Sequence, residues 1–255
     1  MDLFDLTSSQ VDSLSRDLPV VLPVAAIEQH ASHLPLATDS ILLNEVVQRS
    51  KRSCSEHALF LPLMWLGNSH HHLDFCGTLS APPRVWMDLL SGLIDNMLHH
   101  GFNRLLVING HGGNCVPISQ VLFEQRQKNR DREDLMLLSA TYWTLGDLPC
   151  NNNDPSDHND WVQHEMGHAC EWETSMMLAI STNKVGDYLD LPDVPMKPSY
   201  ERAERAWVTQ DRSENGYIGS PRHATEAKGE VLLDTFSNGL AELIIQISER
   251  ETTTW

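Results

Sequence analysis

VVLPVAAIEQHASHLPLATD, residues 20–39, decides how the rest of the chain is read. It opens as an apolar run, Val20 to Ile27, with the length and β-branched content of a buried strand. Glu28, His30 and Asp39 follow the run. They are hard-to-borderline metal ligands at the mouth of a strand. Thr38-Asp39-Ser40 reads as a helix N-cap leading into Ile41 to Arg52. The end of one strand and the start of one helix should therefore converge on one point.

Outward from this stretch the pattern alternates. Leu3 to Ser15 is a short amphipathic piece, and Leu18 to Ile27 is the first strong strand. Ala58 to Trp65 reads as a second strand, ending in Gly67-Asn68-Ser69-His70-His71-His72. Trp86, Leu89, Leu90, Leu93, Ile94 and Met97 recur at helical spacing within Arg84 to His100, and Gly101 closes that helix. Arg104 to Ile108 is a short apolar strand running into Asn109-Gly110-His111-Gly112-Gly113-Asn114. Pro117 opens a helix through Lys128, and Leu135 to Ala140 is a fourth strand. Such alternation predicts βαβ units: a three-layer α/β/α fold with a mainly parallel central sheet. The pattern breaks from Thr141 to Gln163, where Asn151 to Pro155 reads as a loop. Cys170 to Thr182 is helical again, and Gly229 to Arg250 is a closing amphipathic helix. Asp187 to Asp211 has no period and reads as an excursion or an oligomer contact. With no internal repeat and no linker, residues 1–255 are expected to form one domain.

Bulk composition narrows the function. The chain has 18 basic and 35 acidic residues, net charge −17. Such a surface repels phosphate backbones and anionic membranes, so neither nucleic acid nor membrane is expected as a partner. The N-terminus MDLFDLTSSQ lacks a basic segment and a long apolar core, so no signal peptide or membrane span is expected. Cys54, Cys76, Cys115, Cys150 and Cys170 are scattered and lack CxxC spacing. They read as reduced thiols of a cytoplasmic protein, with Cys115 and Cys170, close to the motifs below, as small residues of the core or of the surroundings of a site.

The chemistry-bearing side chains collect where parallel sheets build sites, beyond the carboxyl ends of strands. Glu28 and His30 follow the first strand, His70 to His72 the second, and His111 the third, inside a glycine-rich loop. His168 and Glu173 lie at the start of the late helix. Asp39 has two oxygens and can bridge two cations, with Glu28 and His30 serving one each and His111 completing the first. Two such cations acidify a water between them at neutral pH. At least two of His70 to His72 read as structural, and His33, His99 and His100 as non-ligands.

Five blocks in order carry a resemblance: LPVAAIEQHASHLPLATD (22–39), GNSHHHLDFCGTLS (67–80), GFNRLLVINGHGGN (101–114), HACEWETSMML (168–178) and GSPRHATEAKGE (219–230). The chain resembles the creatininase (creatinine amidohydrolase) family. The resemblance implies an α/β/α domain, a binuclear metal hydrolase and a homo-oligomer, usually a hexamer. It assigns Glu28, Asp39 and His111 to one metal and His30 and Asp39 to the other. His168 matches the histidine that handles protons near the scissile amide, and Glu173 the glutamate of the family's ETS block. Creatininase proper follows its loop histidine with Tyr-Glu, and that glutamate binds the second metal. Here Gly112-Gly113 stands there, as in many non-creatininase members. Glu173 is the candidate replacement ligand, with Glu171 second. Ala31-Ser32 replaces the usual Gly-Pro. The substrate-clamping tryptophan has no clear match; the aligned region offers His164, with Trp161 and Trp172 nearby.

The expectation is a cytoplasmic amidohydrolase holding two divalent ions, zinc first, with manganese or iron as alternatives. It would hydrolyse a C–N bond of a small cyclic or formyl amide, with His168 passing a proton to the leaving nitrogen and Glu173 in the site. The alternatives are a formamide deformylase and a peptidase trimming a peptide-derived cofactor precursor. From another class comes a non-catalytic protein that binds metal or a small molecule. Specificity is expected in Thr141 to Gln163.

Overall fold

The computed structural model describes residues 1–147, 161–196, 203 and 205–250. After a capped turn of helix, α1 (Ser8–Asp12), the chain enters β1 (Val20–Val24) and then α2 (Thr38–Cys54). There follow β2 (Leu59–Phe60), α3 (Pro83–His99), β3 (Arg104–Asn109), α4 (Cys115–Lys128) and β4 (Met136–Thr141). The rest of the described chain is helical or irregular: α5 (Glu171–Ser181), α6 (Thr209–Arg212) and α7 (Glu226–Glu249). The strands form one parallel sheet in the order β2-β1-β3-β4. Among the described residues, no helix is long and apolar enough to cross a membrane.

Alternation along the central strands builds two cores. Val21, Leu106 and Ile108 face one side with residues of α2, α5 and α7. Val20, Leu22, Val24, Leu105 and Val107 face the other with Trp86, Leu90 and Ile94 of α3 and Ile118 and Val121 of α4. Every residue of β1 and β3 is buried, as in strands covered on both faces. The architecture is the expected α/β/α sandwich.

Boundaries differ where local chemistry intervenes. The second strand shrinks to Leu59–Phe60, because Pro62 lacks the N–H a ladder needs; beyond it only Met64 bridges back to Val24. Helix α2 begins at Thr38, so Asp39 is a first-turn residue and not a cap; the Thr38 hydroxyl donates instead to the Pro35 carbonyl, at 2.6 Å. Gly101 ends α3 with φ of 89°, the left-handed geometry its sequence position predicts. The expected loop at Asn151 to Pro155 lies outside the described residues, as does Cys150; the other four cysteines are free thiols.

Register decides the function of this sheet. β1 and β3 are neighbours, with Val24 opposite Asn109. The segments carrying Glu28, His30 and His111 therefore leave the same edge of the sheet side by side. The first turn of α2, carrying Asp39, and the first turn of α5, carrying Glu173, point at that edge. Both carboxylates thus sit at the positive end of a helix.

Candidate metal centre

Asp39 is the hinge of the site. Its Oδ1 lies 3.1 Å from His30 Nε2, and its Oδ2 lies 3.0 Å from His111 Nδ1. The two oxygens of one carboxylate therefore face two histidines from the segments that follow two different strands. On the His111 side Glu28 closes in, with Oε2 at 3.3 Å from His111 Nδ1. On the His30 side Glu173 does so, with Oε1 at 3.5 Å from His30 Nε2. All five residues are buried. Their ligand atoms include groups close enough together to hold an ion: Glu28, His30 and Asp39, and His30, His168 and Glu173.

The backbone aims each imidazole. His30 Nδ1–H donates to the Glu28 carbonyl at 3.1 Å, which leaves Nε2 bare toward the carboxylates. His111 Nε2–H donates to the Asn68 carbonyl at 3.1 Å, which leaves Nδ1 bare. His168 Nε2–H donates to the Gln29 carbonyl at 2.9 Å, which turns Nδ1 toward Glu28 Oε1 at 3.5 Å. Fixing one ring nitrogen on a carbonyl so that the other faces a cation is the usual support of a metal-binding histidine. The Ser69 hydroxyl in turn donates to Glu28 Oε2.

Three buried atoms in this cluster have no hydrogen-bond partner among the described residues: His30 Nε2, Asp39 Oδ2 and Glu173 Oε2. Buried polar atoms are ordinarily satisfied. Three orphans in one buried cluster fit a cation-binding shell of nitrogen and carboxylate oxygen, which suits zinc, manganese and iron.

Electrostatics without a cation show the same strain. Burial pushes the Glu28 carboxyl up, and the nearby Asp39 charge adds to that. Burial would push His30 and His111 down, but the facing carboxylates reverse this and hold both well above the usual imidazole range. Burial likewise opposes ionisation of Asp39, but His30 and His111 together hold its carboxyl below the usual range. Burial and the neighbouring His30 and His72 push His168 well down, so its imidazole is neutral at pH 7. Divalent cations would replace the protons that now reconcile these charges.

Two alanines beside the site adopt left-handed backbone geometry, Ala31 at φ 55° and Ala169 at φ 47°. They directly follow His30 and His168. A side chain in that region costs on the order of 1–2 kcal/mol, strain of the kind that collects at working sites. Gly113 is needed for a different reason. A Cβ there would meet the Asn68 carbonyl at 2.3 Å and His111 Nε2 at 2.5 Å, so no glutamate fits at this position with the loop as it stands.

Glu171 is not part of the cluster. Its carboxylate is buried against Lys228 Nζ at 2.5 Å and accepts the backbone N–H groups of Val162 and Gln163. Its spacing from Glu173, two residues along a helix, turns the two side chains to different faces. His33 also stays apart, with Nε2 3.0 Å from the Thr174 hydroxyl, and His99 and His100 are exposed.

Sequence reasoning passed over several residues that surround the centre. His72 is buried, with Nε2 3.4 Å from Glu28 Oε1 and its ring stacked on His168 at 4.2 Å. His71 stacks on His111 at 5.7 Å. Both come from the triple histidine, where three adjacent identical residues gave no signal to separate ligand from loop. An open cleft of about 760 Å³ exposes the centre. Its walls include Trp143 from the stretch expected to hold specificity, Met196, Arg205 and Trp207 from the segment read as an excursion, and Arg212 just beyond it. Trp161, His164 and Trp172 do not line it; Trp172 is a core residue whose indole donates to the Gln163 carbonyl.

The sequence profile of the creatininase family, creatinine amidohydrolase, matches residues 5–244. The chain belongs to the creatininase family. A mycofactocin precursor peptide peptidase of Mycolicibacterium smegmatis is 29% identical over 245 residues, covering 93% of this chain and 88% of that one. A creatinine amidohydrolase of Pseudomonas putida is 25% identical over 240 residues, covering 89% of each. A solved structure of creatininase with manganese superimposes with a TM-score of 0.81 at 24% identity, covering 98% of this chain and 99% of that one. The protein is thus a hydrolase of the creatininase family, and the buried cluster is its candidate metal site.

Proposed function

We propose that this protein is a metal-dependent amidohydrolase with a binuclear centre, and that its substrates are peptide amides. One observation carries the reading. The two oxygens of buried Asp39 divide between His30 with Glu173 and His111 with Glu28, on the floor of an open cleft. Glu28, Asp39 and His111 would hold one ion, and His30, Asp39 and Glu173 the other. Bound there, the ions supply Lewis acidity and make a water acidic enough to react at neutral pH.

The remaining work belongs to side chains. His168 reaches the cleft as a neutral imidazole with Nδ1 turned inward. It is suited to accept a proton from the attacking water and deliver it to the departing amine. The Gln29 carbonyl holds the other ring nitrogen, so the proton-carrying atom does not change. Glu28 and Ser69 keep His111 in register.

A peptide is favoured over a small cyclic amide by the size of the cleft, about 760 Å³. The peptidase from M. smegmatis supports the same choice. The P. putida relative supports a second reading, hydrolysis of a small cyclic amide.

The test is a panel of N-formyl amides, creatinine and short peptides, given to protein loaded with Zn²⁺ or Mn²⁺ and followed by amine release. Cleavage of peptides alone is the expected result. Cleavage of creatinine alone would favour the second reading. No cleavage at two metal equivalents per chain would leave a non-catalytic binding protein.

A further inference from the structure

The cleft has a wall that the metal centre does not explain. Trp207 stands edge-on to His71 at 5.3 Å, and the Arg212 guanidinium lies over the Trp207 ring at 3.9 Å. Arg205 lines the same cleft. The wall is pinned to the site floor. The Thr209 hydroxyl donates to the His71 carbonyl at 2.7 Å and accepts from His72 Nδ1 at 2.7 Å. Further along, the Gln29 amide donates to the Gly216 carbonyl at 2.8 Å.

Arg212 is unusually provided for. A guanidinium offers five N–H donors in one plane. Here its face is taken by an indole, and its hydrogen-bond acceptor is the Met196 sulfur at 3.0 Å, a weak one. Neither Arg212 nor Arg205 forms an ion pair among the described residues. The neighbouring Asp211 carboxylate accepts from the Val208 N–H at the start of α6. In a chain with 35 acidic and 18 basic residues, two arginines at one cleft without a carboxylate partner among the described residues stand out. A packing role would be met by Trp207 and the arginine stem; it would not need the charged donors left facing the cleft.

From this wall we infer that the cleft recognises amide substrates through a free carboxylate distal to the scissile bond, held by Arg212 and Arg205 beside the Trp207 platform. This rests on the amidohydrolase reading and names its substrate class. Planar donors suit a carboxylate. The need for them follows from the charge of the chain: at −17 its field repels an anionic substrate, so capture requires local positive groups.

The experiment uses the metal-loaded protein and two matched pairs: an N-acetyl dipeptide and an N-acetyl amino acid, each with a free carboxylate or a carboxamide. Binding is measured by calorimetry, and turnover by release of amine. The free acid of at least one pair should bind about tenfold more tightly than its amide, and the gap should shrink with added salt. The dipeptide pair showing it alone means a peptide end is read; both showing it means any acylated amino acid is. Arg212→Gln, with melting temperature unchanged, should bring the acid to within about twofold of the amide and leave the amide where it was. Arg212→Lys should restore part of the gap. Equal binding of acid and amide by the wild type would overturn the inference. So would a preference that survives Arg205→Gln combined with Arg212→Gln, because the carboxylate would then be held elsewhere. Acid-selective binding without turnover would defeat the hydrolase reading and leave the carboxylate site standing.

Discussion

Lys228→Met is expected to destabilise the protein strongly without touching the metal centre. Lys228 and Glu171 are buried, and their charged atoms meet at 2.5 Å. Lys228 also donates to the His223 carbonyl, and Glu171 holds the Val162 and Gln163 N–H groups. Removing the ammonium strands a carboxylate that no water reaches. Such a loss costs about 3–5 kcal/mol. In a chain of this length that lowers the melting temperature by roughly 6–20 °C. The double variant Glu171→Gln, Lys228→Met buries no charge and should recover most of the loss. Urea unfolding of the wild type, both single variants and the double variant measures the coupling directly. Metal content should stay at the wild-type value in all four proteins, because Glu171 faces away from His30. A loss below about 1 kcal/mol for Lys228→Met would show that the pair does not fasten the approach to α5. Loss of metal from Glu171→Gln would reverse the assignment of the two glutamates.

Three other outcomes follow from the site. Glu173→Gln should hold about half the metal of the wild type by elemental analysis, and Asp39→Asn close to none; full occupancy of Glu173→Gln would remove that residue from the shell. His168→Asn should keep its metal and lose amide turnover by at least about a hundredfold, so an unchanged rate would take His168 out of the chemistry. Burial and the nearby His30 hold His33 at a pKa of about 4 in the folded chain, against 6.5 ordinarily. As pH falls below about 6.5 the unfolded chain takes up this proton and the folded chain does not. Folding stability should therefore drop between about pH 6.5 and 4, by up to about 3 kcal/mol from this group. His33→Gln should flatten that slope, and equal slopes for the two proteins would place the titration elsewhere.

The sheet and most of the candidate cluster were legible because they follow short-range rules. Val20 to Val24 and Arg104 to Asn109 are wholly apolar or buried runs between turn residues, and such runs make central parallel strands. Strand ends then place Glu28, His30 and His111 at one edge without further information. Glu173 against Glu171 was open in the sequence, since both are first-turn acids; only the packing of α5 against α7, which brings Lys228 to Glu171, separates them. The cleft wall was hidden for a similar reason. Trp207 lies in a segment with no period and Arg212 just beyond it, and they reach the site through Thr209, whose partners are more than 130 positions away. Hydrogen bonds across such distances leave no local pattern.

The sources of the proposed ligands also bear on when a metal would arrive. Glu28, His30, Asp39, His111 and Glu173 come from four separated segments, brought together by the pairing of β1 with β3 and the docking of α2 and α5. Of these five, an unfolded chain keeps only Glu28 and His30 close together, so a cation held by the whole set favours the native state. Metal held by this set would act as a ratchet on a fold already made rather than as its nucleus. At a hundred times the dissociation constant it adds about 2.7 kcal/mol. Stripping the ions should leave the sheet standing while the chain opens more often, and a protease present during metal starvation would find the protein sooner than one present in plenty.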